Sequence, residues 1–196
     1  MNLKKILRPL YWELKCFSFR SIKYRIHFKS CGMRLKIGHE VYIRNPHMVS
    51  VGRNVTIEHH TSLFINPIGE TAEIIIGDNV ILGKYNDFGC SNKIIIGNDV
   101  ITAPFVHITD RDHSYEDITV PIMYQSANSK GAVVIKDGTW LGFGVQIMSG
   151  VTIGKQSVIA AGSIVTKDIP DYCVAVGNPA RVIKKYNLDT QKWKKC

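Results

Sequence analysis

His113 has the surroundings that best suit acid–base chemistry in this sequence. It lies in a polar, charged segment, directly after an apolar stretch, and is flanked by Asp112 and Ser114. An imidazole titrates near neutral pH, so it can take a proton from a hydroxyl group and return it. The carboxylate of Asp110 or Asp112, or a backbone carbonyl, would fix the tautomer of the ring. The sequence therefore predicts a general base at His113.

The other six histidines have ordinary surroundings. A histidine is most often a surface or hydrogen-bonded structural residue, and we expect that role for five of them. His107 lies six residues before His113, and it is predicted either to line a groove or to pack within the fold. The five expected structural histidines are His27, His39, His47, His59 and His60.

A second candidate site is a group of cations near the end of the chain, Lys167, Arg181, Lys184 and Lys185. A nucleotide phosphate needs such charge-assisted, partly bidentate contacts. Taken by themselves, these residues favour a solvated basic end without a ligand over a phosphate site.

These residues need a scaffold, and a six-residue repeat predicts one. Aliphatic residues recur at every sixth position through residues 135–165. A period of six would scatter these side chains around a helix, and it does not suit strands bounded by variable turns. It is typical of a parallel β-helix built from hexapeptides. The repeating residues are Ile135, Leu141, Ile147, Ile153, Ile159 and Val165.

The repeat predicts an all-β fold, a parallel β-helix of about six coils over residues 35–182. It starts at Ile37 and is interrupted most strongly at residues 110–134, a long loop of the kind that usually carries function. Residues 1–34 are predicted to be a basic N-terminal segment with one or two short helices. Residues 183–196 are predicted to be a basic tail or a short helix.

Charge is concentrated at the two ends of the chain. The net charge is +9, and residues 1–30 contribute +7 and residues 183–196 contribute +4, so the centre is close to neutral at −2. A nucleic-acid enzyme would carry its basic stripe on the working body, so nucleic acid is not an expected partner.

The remaining composition favours one cytoplasmic domain. Five cysteines without a CxxC pair indicate neither a disulfide framework nor a zinc cluster. No apolar run approaches the ~20 residues that span a bilayer, and the first 25 residues lack the features of a signal peptide.

The basic N-terminal segment has two interpretations. It would cap the open end of the β-helix, which otherwise exposes its core and unpaired strand edges. It would also suit an amphipathic surface that contacts anionic lipid at the inner face of the membrane. The cations of that surface would be Lys4, Lys5, Arg8, Lys15 and Arg20.

The sequence resembles the hexapeptide-repeat acyltransferases, a left-handed β-helix family that includes sugar and serine acetyltransferases and the O-acetyltransferases of bacterial surface polysaccharides. The resemblance covers residues 51–185 and is carried by IGNDVITAPFVHITDRDH, GTWLGFGVQIMSGVTIGKQSVIAAGSIVTKDIP and VGNPARVIKKY. It alone implies the left-handed winding, because general crossover chirality would favour the right-handed form. The histidine loop with the VTKDIP and GNPA motifs indicates the CoA-dependent branch.

The resemblance implies roles for individual residues. His113 falls on the catalytic histidine of the family, and Trp140 falls on the aromatic residue beside the thioester, although its place in the repeat also fits a plain outward-facing residue. The cosubstrate is expected to be acetyl-CoA, with no metal required. The other residues expected to contact CoA are Gly142, Ala161, Thr166, Lys167, Arg181 and Lys184.

The acceptor site departs from the family pattern. Gly83 occupies a place where some relatives carry an acceptor-binding asparagine. Asn86 and Asp87 stand close by in the sequence, and we expect them to bind the acceptor together with His107 and Asp112.

The expected activity is transfer of an acetyl group from acetyl-CoA to a sugar hydroxyl in bacterial surface polysaccharide biosynthesis. His113 would deprotonate the hydroxyl, and a backbone N–H such as that of Gly142 would support the oxyanion. The transfer would be direct, without an acyl-enzyme. The family assembles as homotrimers with the active sites between subunits, and the same is expected here.

Two alternatives belong to other functional classes. A zinc hydratase similar to γ-class carbonic anhydrases would need three histidines at one metal, and His107 and His113 would require a third from His59, His60 or another subunit. A non-catalytic hexapeptide scaffold would leave the histidine loop, Trp140 and the basic end without a purpose.

Overall fold

Three parallel sheets wind around one apolar core in residues 19–196, the part of the chain that this computed structural model describes. Consecutive strands belong to different sheets, so each coil contributes one strand to sheet A, one to sheet B and one to sheet C. Edges AB, BC and CA are the corners at which the chain passes from one sheet to the next.

Six coils carry the three sheets. The strands of sheet A, in pairing order, are β1 (Ser30–Cys31), β4 (Val49–Val51), β7 (Glu73–Ile76), β10 (Lys93–Ile96), β15 (Val133–Ile135) and β18 (Thr152–Ile153). Sheet B begins with β2 (Lys36–Ile37), β5 (Thr56–Ile57), β8 (Ile81–Leu82), β11 (Ile101–Thr102), β16 (Trp140–Leu141) and β19 (Val158–Ile159). Sheet C consists of β3 (Tyr42–Arg44), β6 (Ser62–Ile65), β9 (Asp87–Cys90), β12 (His107–Thr109), β17 (Gln146–Ile147) and β20 (Ile164–Val165). The predicted parallel β-helix of about six coils is confirmed.

The six-residue repeat forms the core. In the two-residue strands β16–β20 the second side chain points inward, and the predicted aliphatic residues from Ile135 to Val165 are all 0% exposed. Burying each of them contributes roughly 1.5–3 kcal/mol. The repeat therefore specifies the interior, while the other positions are available for turns and for a surface.

Side chains at the corners also stack from one coil to the next. At edge AB, Asn54 donates to Asn79 at 3.0 Å, and Asn79 donates to Asp99 at 2.9 Å. All three have left-handed backbone angles, with φ of 57–59°, a conformation that Asn and Asp tolerate well. At edge BC the rings of Tyr85 and Phe105 stack with centroids 4.9 Å apart. These ladders hold successive coils in register.

The predicted helical N-terminal segment is present as α1 (Phe19–His27), which packs against the first coil. Tyr24 donates from its hydroxyl to Val41 O at 3.1 Å. The solenoid begins earlier than the predicted boundary at residue 35, because β1 already pairs with β4. In β1 the position six residues before Ile37 holds Cys31 instead of an aliphatic residue, so the repeat did not extend to this strand. The predicted lipid-facing residues Lys4, Lys5, Arg8 and Lys15 lie outside the described residues.

The C-terminal end differs from the prediction. Residues 183–196 are neither a loose tail nor a helix; they continue sheet B as an antiparallel ribbon. Its strands are β21 (Cys173–Gly177), β22 (Ala180–Asn187) and β23 (Lys192–Lys195). The alternation of side chains around the NLDTQ turn fits a hairpin, a pattern that the uniform basic charge obscured.

The predicted loop at residues 110–134 leaves the solenoid at edge CA, between β12 and β15. Within it, β13 (Asp112–His113) and β14 (Ala127–Asn128) form a short antiparallel ribbon. A single 3₁₀ turn, Ile122–Tyr124, lies between them; another, Pro46–Met48, lies between β3 and β4.

Candidate functional site

His113 is presented to solvent on β13. Its side chain is exposed, and its strand pairs with Ala127 across the ribbon. Within residues 19–196 its ring makes no hydrogen bond, so both ring nitrogens are accessible to a ligand. The exposed imidazole on an anchored ribbon fits a general base.

Asp110 does not orient His113. It is 0% exposed, and its carboxylate faces the solenoid, where it accepts backbone N–H bonds from Ser91 at 2.6 Å and from Asn92 at 2.8 Å. Its own carbonyl accepts a bond from the Ser149 hydroxyl at 2.8 Å. The tautomer-fixing role considered for Asp110 is thus wrong, because its carboxylate anchors the root of the loop to one coil and its backbone carbonyl anchors it to another.

Asp112 is the other acidic candidate in the loop. Successive residues of a strand point to opposite sides, so Asp112 lies on the opposite side of β13 from His113. Its Oδ2 lies 3.4 Å from Lys130 Nζ. Contact between Asp112 and the acceptor remains a prediction.

Asp87 and His107 form a polar pair on the outer face of sheet C. They are register partners in β9 and β12, and His107 Nδ1 donates to Asp87 Oδ2 at 3.1 Å. The hydrogen bond from His107 holds the pKa of Asp87 below its usual range, so Asp87 is a carboxylate at neutral pH. Both residues begin their strands, so the pair lies at the edge-BC end of sheet C, whereas the His113 loop leaves at edge CA, the other end of these strands.

The prediction that Asn86 binds the acceptor is wrong. It is 1% exposed, its amide donates to Ala103 O at 2.8 Å, and its carbonyl accepts the hydroxyl of Thr102. These bonds satisfy the corner of edge BC. A side chain used in this way is not available to an acceptor.

The next coil lies so close to residue 83 that only glycine fits there, at the position where some members of the family carry an acceptor-binding asparagine. A Cβ added to Gly83 would lie 2.6 Å from the carbonyl carbon of Ala103, in the backbone of the next coil. Atoms at that distance overlap, so no larger residue fits without a shift of the coil.

Replacing Gly83 with Asn should therefore destabilise the fold by about 3 kcal/mol or more instead of creating an acceptor contact. The midpoint of thermal unfolding measures this effect. Lys84→Asn, at the neighbouring exposed position, is the matched control and should leave the midpoint nearly unchanged. A Gly83→Asn protein with wild-type stability would contradict the close approach of the two coils.

The residues predicted to contact CoA fall into two groups. The sheet-B group lies on the outer face of sheet B and along edge BC, and the edge-CA group lies at the opposite corner of the triangular cross-section. The sheet-B group is Trp140, Gly142, Ala161, Arg181 and Lys184, and the edge-CA group is Thr166 and Lys167 together with the loop of His113.

The sheet-B group has the chemistry of an elongated groove wall. Trp140 continues a row of exposed apolar residues formed by Ile81 and Ile101, its partners in register. At the far end of this face, β22 and β23 place Lys184 directly opposite Lys195. Like charges in register destabilise a ribbon, and neither lysine has an ion pair within residues 19–196. An apolar strip that ends in uncompensated cations fits a molecule with a thin apolar arm and phosphates.

Gly142 and Ala161 lie on adjacent coils at edge BC. The N–H of Gly142 donates to Ile159 O at 2.8 Å, so it belongs to the ladder and does not support an oxyanion, contrary to the expectation. The amide of Ala161 makes no hydrogen bond within the described part of the chain. Of the two N–H groups, that of Ala161 therefore remains available to a ligand.

Sequence reasoning missed the ribbon as a contributor to this face. Tyr186 and Trp193 form an edge-to-face pair with centroids 5.4 Å apart, and they lie beside the lysines because Tyr186 pairs with Trp193 and Lys184 with Lys195. The alternation of these side chains along the sequence is the signal that could have predicted the ribbon.

The histidines do not converge. His107 lies on sheet C, His113 lies on the loop, and His59 stacks on His39 with centroids 4.9 Å apart. Within residues 19–196 no three His, Cys, Asp or Glu side chains are grouped as metal ligands. The zinc hydratase alternative therefore lacks a preformed site among these residues of one subunit.

The β-helix of hexapeptides with an exposed histidine loop defines a class, the hexapeptide-repeat transferases. Residues 132–167 match the family described as bacterial transferase hexapeptide (six repeats). The putative lipopolysaccharide biosynthesis O-acetyl transferase WbbJ of Escherichia coli K12 is 32% identical over 179 residues, which are 88% of each chain. The chain belongs to this family, and the predicted left-handed β-helix is confirmed.

Two further comparisons support the family membership. The crystal structure of a maltose O-acetyltransferase from Clostridium difficile 630 is 31% identical with a TM-score of 0.59, covering 92% of this chain and 83% of that one. The probable acetyltransferase Rv3034c of Mycobacterium tuberculosis is 35% identical over 164 residues, 74% of this chain. The chain spans 54% of the length of that relative.

Proposed function

We propose that the protein is an O-acetyltransferase that moves the acetyl group of acetyl-CoA to a sugar hydroxyl in bacterial surface polysaccharide biosynthesis. The observation that carries this proposal is His113, exposed on an anchored ribbon of a hexapeptide β-helix. Relatives named as O-acetyltransferases of lipopolysaccharide and maltose support an oxygen acceptor on a sugar.

In the proposed reaction His113 accepts the proton of the acceptor hydroxyl as its oxygen attacks the thioester carbonyl. Acetyl-CoA supplies the activated acyl group. The N–H of Ala161 is the candidate donor to the oxyanion. As the carbon–sulfur bond breaks, His113 returns the proton to the leaving thiolate, so the histidine ends in its starting state.

Three of the five cysteines are poorly suited to form an acyl-enzyme, which favours direct transfer. Burial raises the pKa of the Cys90 thiol to about 12 and also raises the pKa of Cys31 and Cys173. Thiols in this state are protonated at neutral pH and are poor nucleophiles.

The split between the sheet-B and edge-CA groups supports an active site between subunits. Edge CA lies opposite sheet B in one chain, so the root of the His113 loop and Trp140 of the same subunit lie on opposite sides of the solenoid. Two parallel β-helices side by side would bring one subunit's edge CA to its neighbour's sheet B. A homotrimer closes this arrangement with three equivalent sites.

An acceptor screen tests the function. The purified full chain is incubated with acetyl-CoA and with free, nucleotide-linked or lipid-linked sugars, and released CoA thiol and acetylated product are measured. Acetylation of a hydroxyl supports the proposal. Thiol release that is independent of any acceptor, or transfer to amino sugars alone, would refute it.

The Asp87–His107 pair is proposed to bind the acceptor. Asp87→Asn removes the charge that His107 contacts, and we expect the KM for the acceptor to rise about 10-fold, while the KM for acetyl-CoA stays unchanged. Steady-state kinetics with both substrates measure the difference. Asp99→Asn on edge AB is the control, and equal effects of the two substitutions would contradict the assignment.

A further inference from the structure

α1 has two apolar faces, and one of them is packed. Phe28 is 7% exposed, directly after the end of α1, and Ser21 is buried. Tyr24 stacks on Phe28 with ring centroids 5.9 Å apart. The packed face docks α1 against the first coil of the solenoid.

The other face of α1 is exposed although it is also apolar. Phe19, Ile22 and Ile26 are 86%, 46% and 75% exposed. At 3.6 residues per turn these side chains fall within an arc of about 60°, roughly opposite Tyr24 and Phe28. We call these three residues the outer stripe. A helix needs one apolar stripe to dock on its own protein, and within residues 19–196 the outer stripe is left uncovered.

The outer stripe is flanked by positive charge. The helix itself carries no Asp or Glu. Two cations farther along the chain, Lys29 and Lys36, are paired with Glu73 and Glu58 of the solenoid. Lys23 lies between Ile22 and Ile26 in the helix and is exposed. Neither Lys23 nor Arg25 forms an ion pair within the described part of the chain. Arg20, in contrast, contacts His39 Nδ1 at 2.6 Å, which ties the start of α1 to the first coil.

We infer that α1 binds the surface of an anionic membrane through its outer stripe, with Lys23 and Arg25 at the lipid headgroups. Apolar residues on one side with flanking cations and no acidic residue are the features of an interfacial helix, and each cation near an anionic surface adds to the attraction. No helix within residues 19–196 is long and apolar enough to cross a membrane, so the contact is peripheral.

A lipid surface fits this patch better than a protein partner does. Nine helical residues are only about 13 Å long, whereas a stable protein interface buries about 800 Å² on each side. The charges of Lys23 and Arg25, unpaired within residues 19–196 and with no acidic residue on α1, also suit the continuous negative charge of a membrane leaflet. The inference does not depend on the proposed acetyl transfer, because membrane binding is measured without substrate.

Vesicle flotation of the full chain tests the inference. The probes are vesicles of phosphatidylcholine alone and of phosphatidylcholine with 30% phosphatidylglycerol, a composition chosen as about that of an anionic membrane surface. We expect binding to the anionic vesicles only, weakened by salt. Ile26→Glu should weaken that binding about 10- to 100-fold. Leu188→Glu is the matched control, because Leu188 is 65% exposed at the other end of the chain, and it should bind as the wild type does.

Three results would overturn the inference. The first is failure of the wild-type protein to bind anionic vesicles. The second is equal weakening of binding by Ile26→Glu and Leu188→Glu, which would indicate a general charge effect. In the third, Ile26→Glu would lower the thermal unfolding midpoint without changing vesicle binding, which would indicate that the stripe is covered by protein. Because Ile26 is 75% exposed, we expect its midpoint to stay within a few degrees of wild type.

Discussion

Replacing His113 with Ala should lower the turnover number about 10²- to 10⁴-fold. The alanine variant cannot accept the hydroxyl proton, so the acceptor must attack as a neutral, weakly nucleophilic alcohol. Binding of CoA should be nearly unchanged, because the sheet-B group that is proposed to hold CoA does not include His113. Steady-state turnover together with calorimetric titration of CoA measures both quantities.

Mixed trimers sharpen this test. His113→Ala subunits and Lys184→Glu subunits should each be nearly inactive alone, because one lacks the base and the other carries a negative charge where phosphate is expected. Trimers assembled from both kinds should recover part of the activity at sites that combine an intact His113 with an intact Lys184. Full activity of His113→Ala would end the proposed role, and absence of any recovery would contradict a site shared between subunits.

Replacing Asp110 with Ala should destabilise the protein by about 3–5 kcal/mol. The substitution leaves the backbone N–H groups of Ser91, Asn92 and Lys93 without their acceptor. Buried donors without partners cost much more than the loss of a surface contact. The free energy of unfolding in urea measures the effect, and we also expect lower turnover because the root of the His113 loop is loosened.

Asp112→Ala is the matched control for Asp110. It removes a carboxylate two residues away whose ion-pair partner, Lys130, is exposed, and surface pairs contribute only about 0–1 kcal/mol. The unfolding free energy of Asp112→Ala should therefore stay close to wild type. Equal stability of both variants would show that the Asp110 hydrogen bonds contribute little.

The stability of the fold should depend on pH through the Asp87 carboxylate. Its pKa is held below the usual range by the His107 hydrogen bond. The stability that this bond contributes is therefore fully present above the ordinary pKa of an aspartate, 3.8. It is lost only as the pH falls through the lower value of the folded state.

The amino-acid sequence by itself determined the interior of this protein and the place of its histidine loop. A core residue of a β-helix recurs at a fixed interval because every coil repeats the same cross-section, so Leu141 and Ile153 could be assigned without any long-range information. The loop was visible at residues 110–134 because it breaks that interval. The left-handed winding followed from the family resemblance, not from the periodicity.

Only the tertiary structure decided which polar residues serve the fold and which face solvent. Asp110 and Asn86 have the side chains of binding residues, but contacts with neighbouring coils 16–19 positions away in the sequence turn both inward. Gly83 is required by the backbone of the next coil. The residues that Asp110, Asn86 and Gly83 contact lie one coil away. The order of residues in the sequence does not show which side chains point toward a neighbouring coil. The same holds for His113 and Trp140, which lie 27 positions apart in the sequence. Trp140 lies on sheet B, whereas the His113 loop leaves the solenoid at the opposite edge.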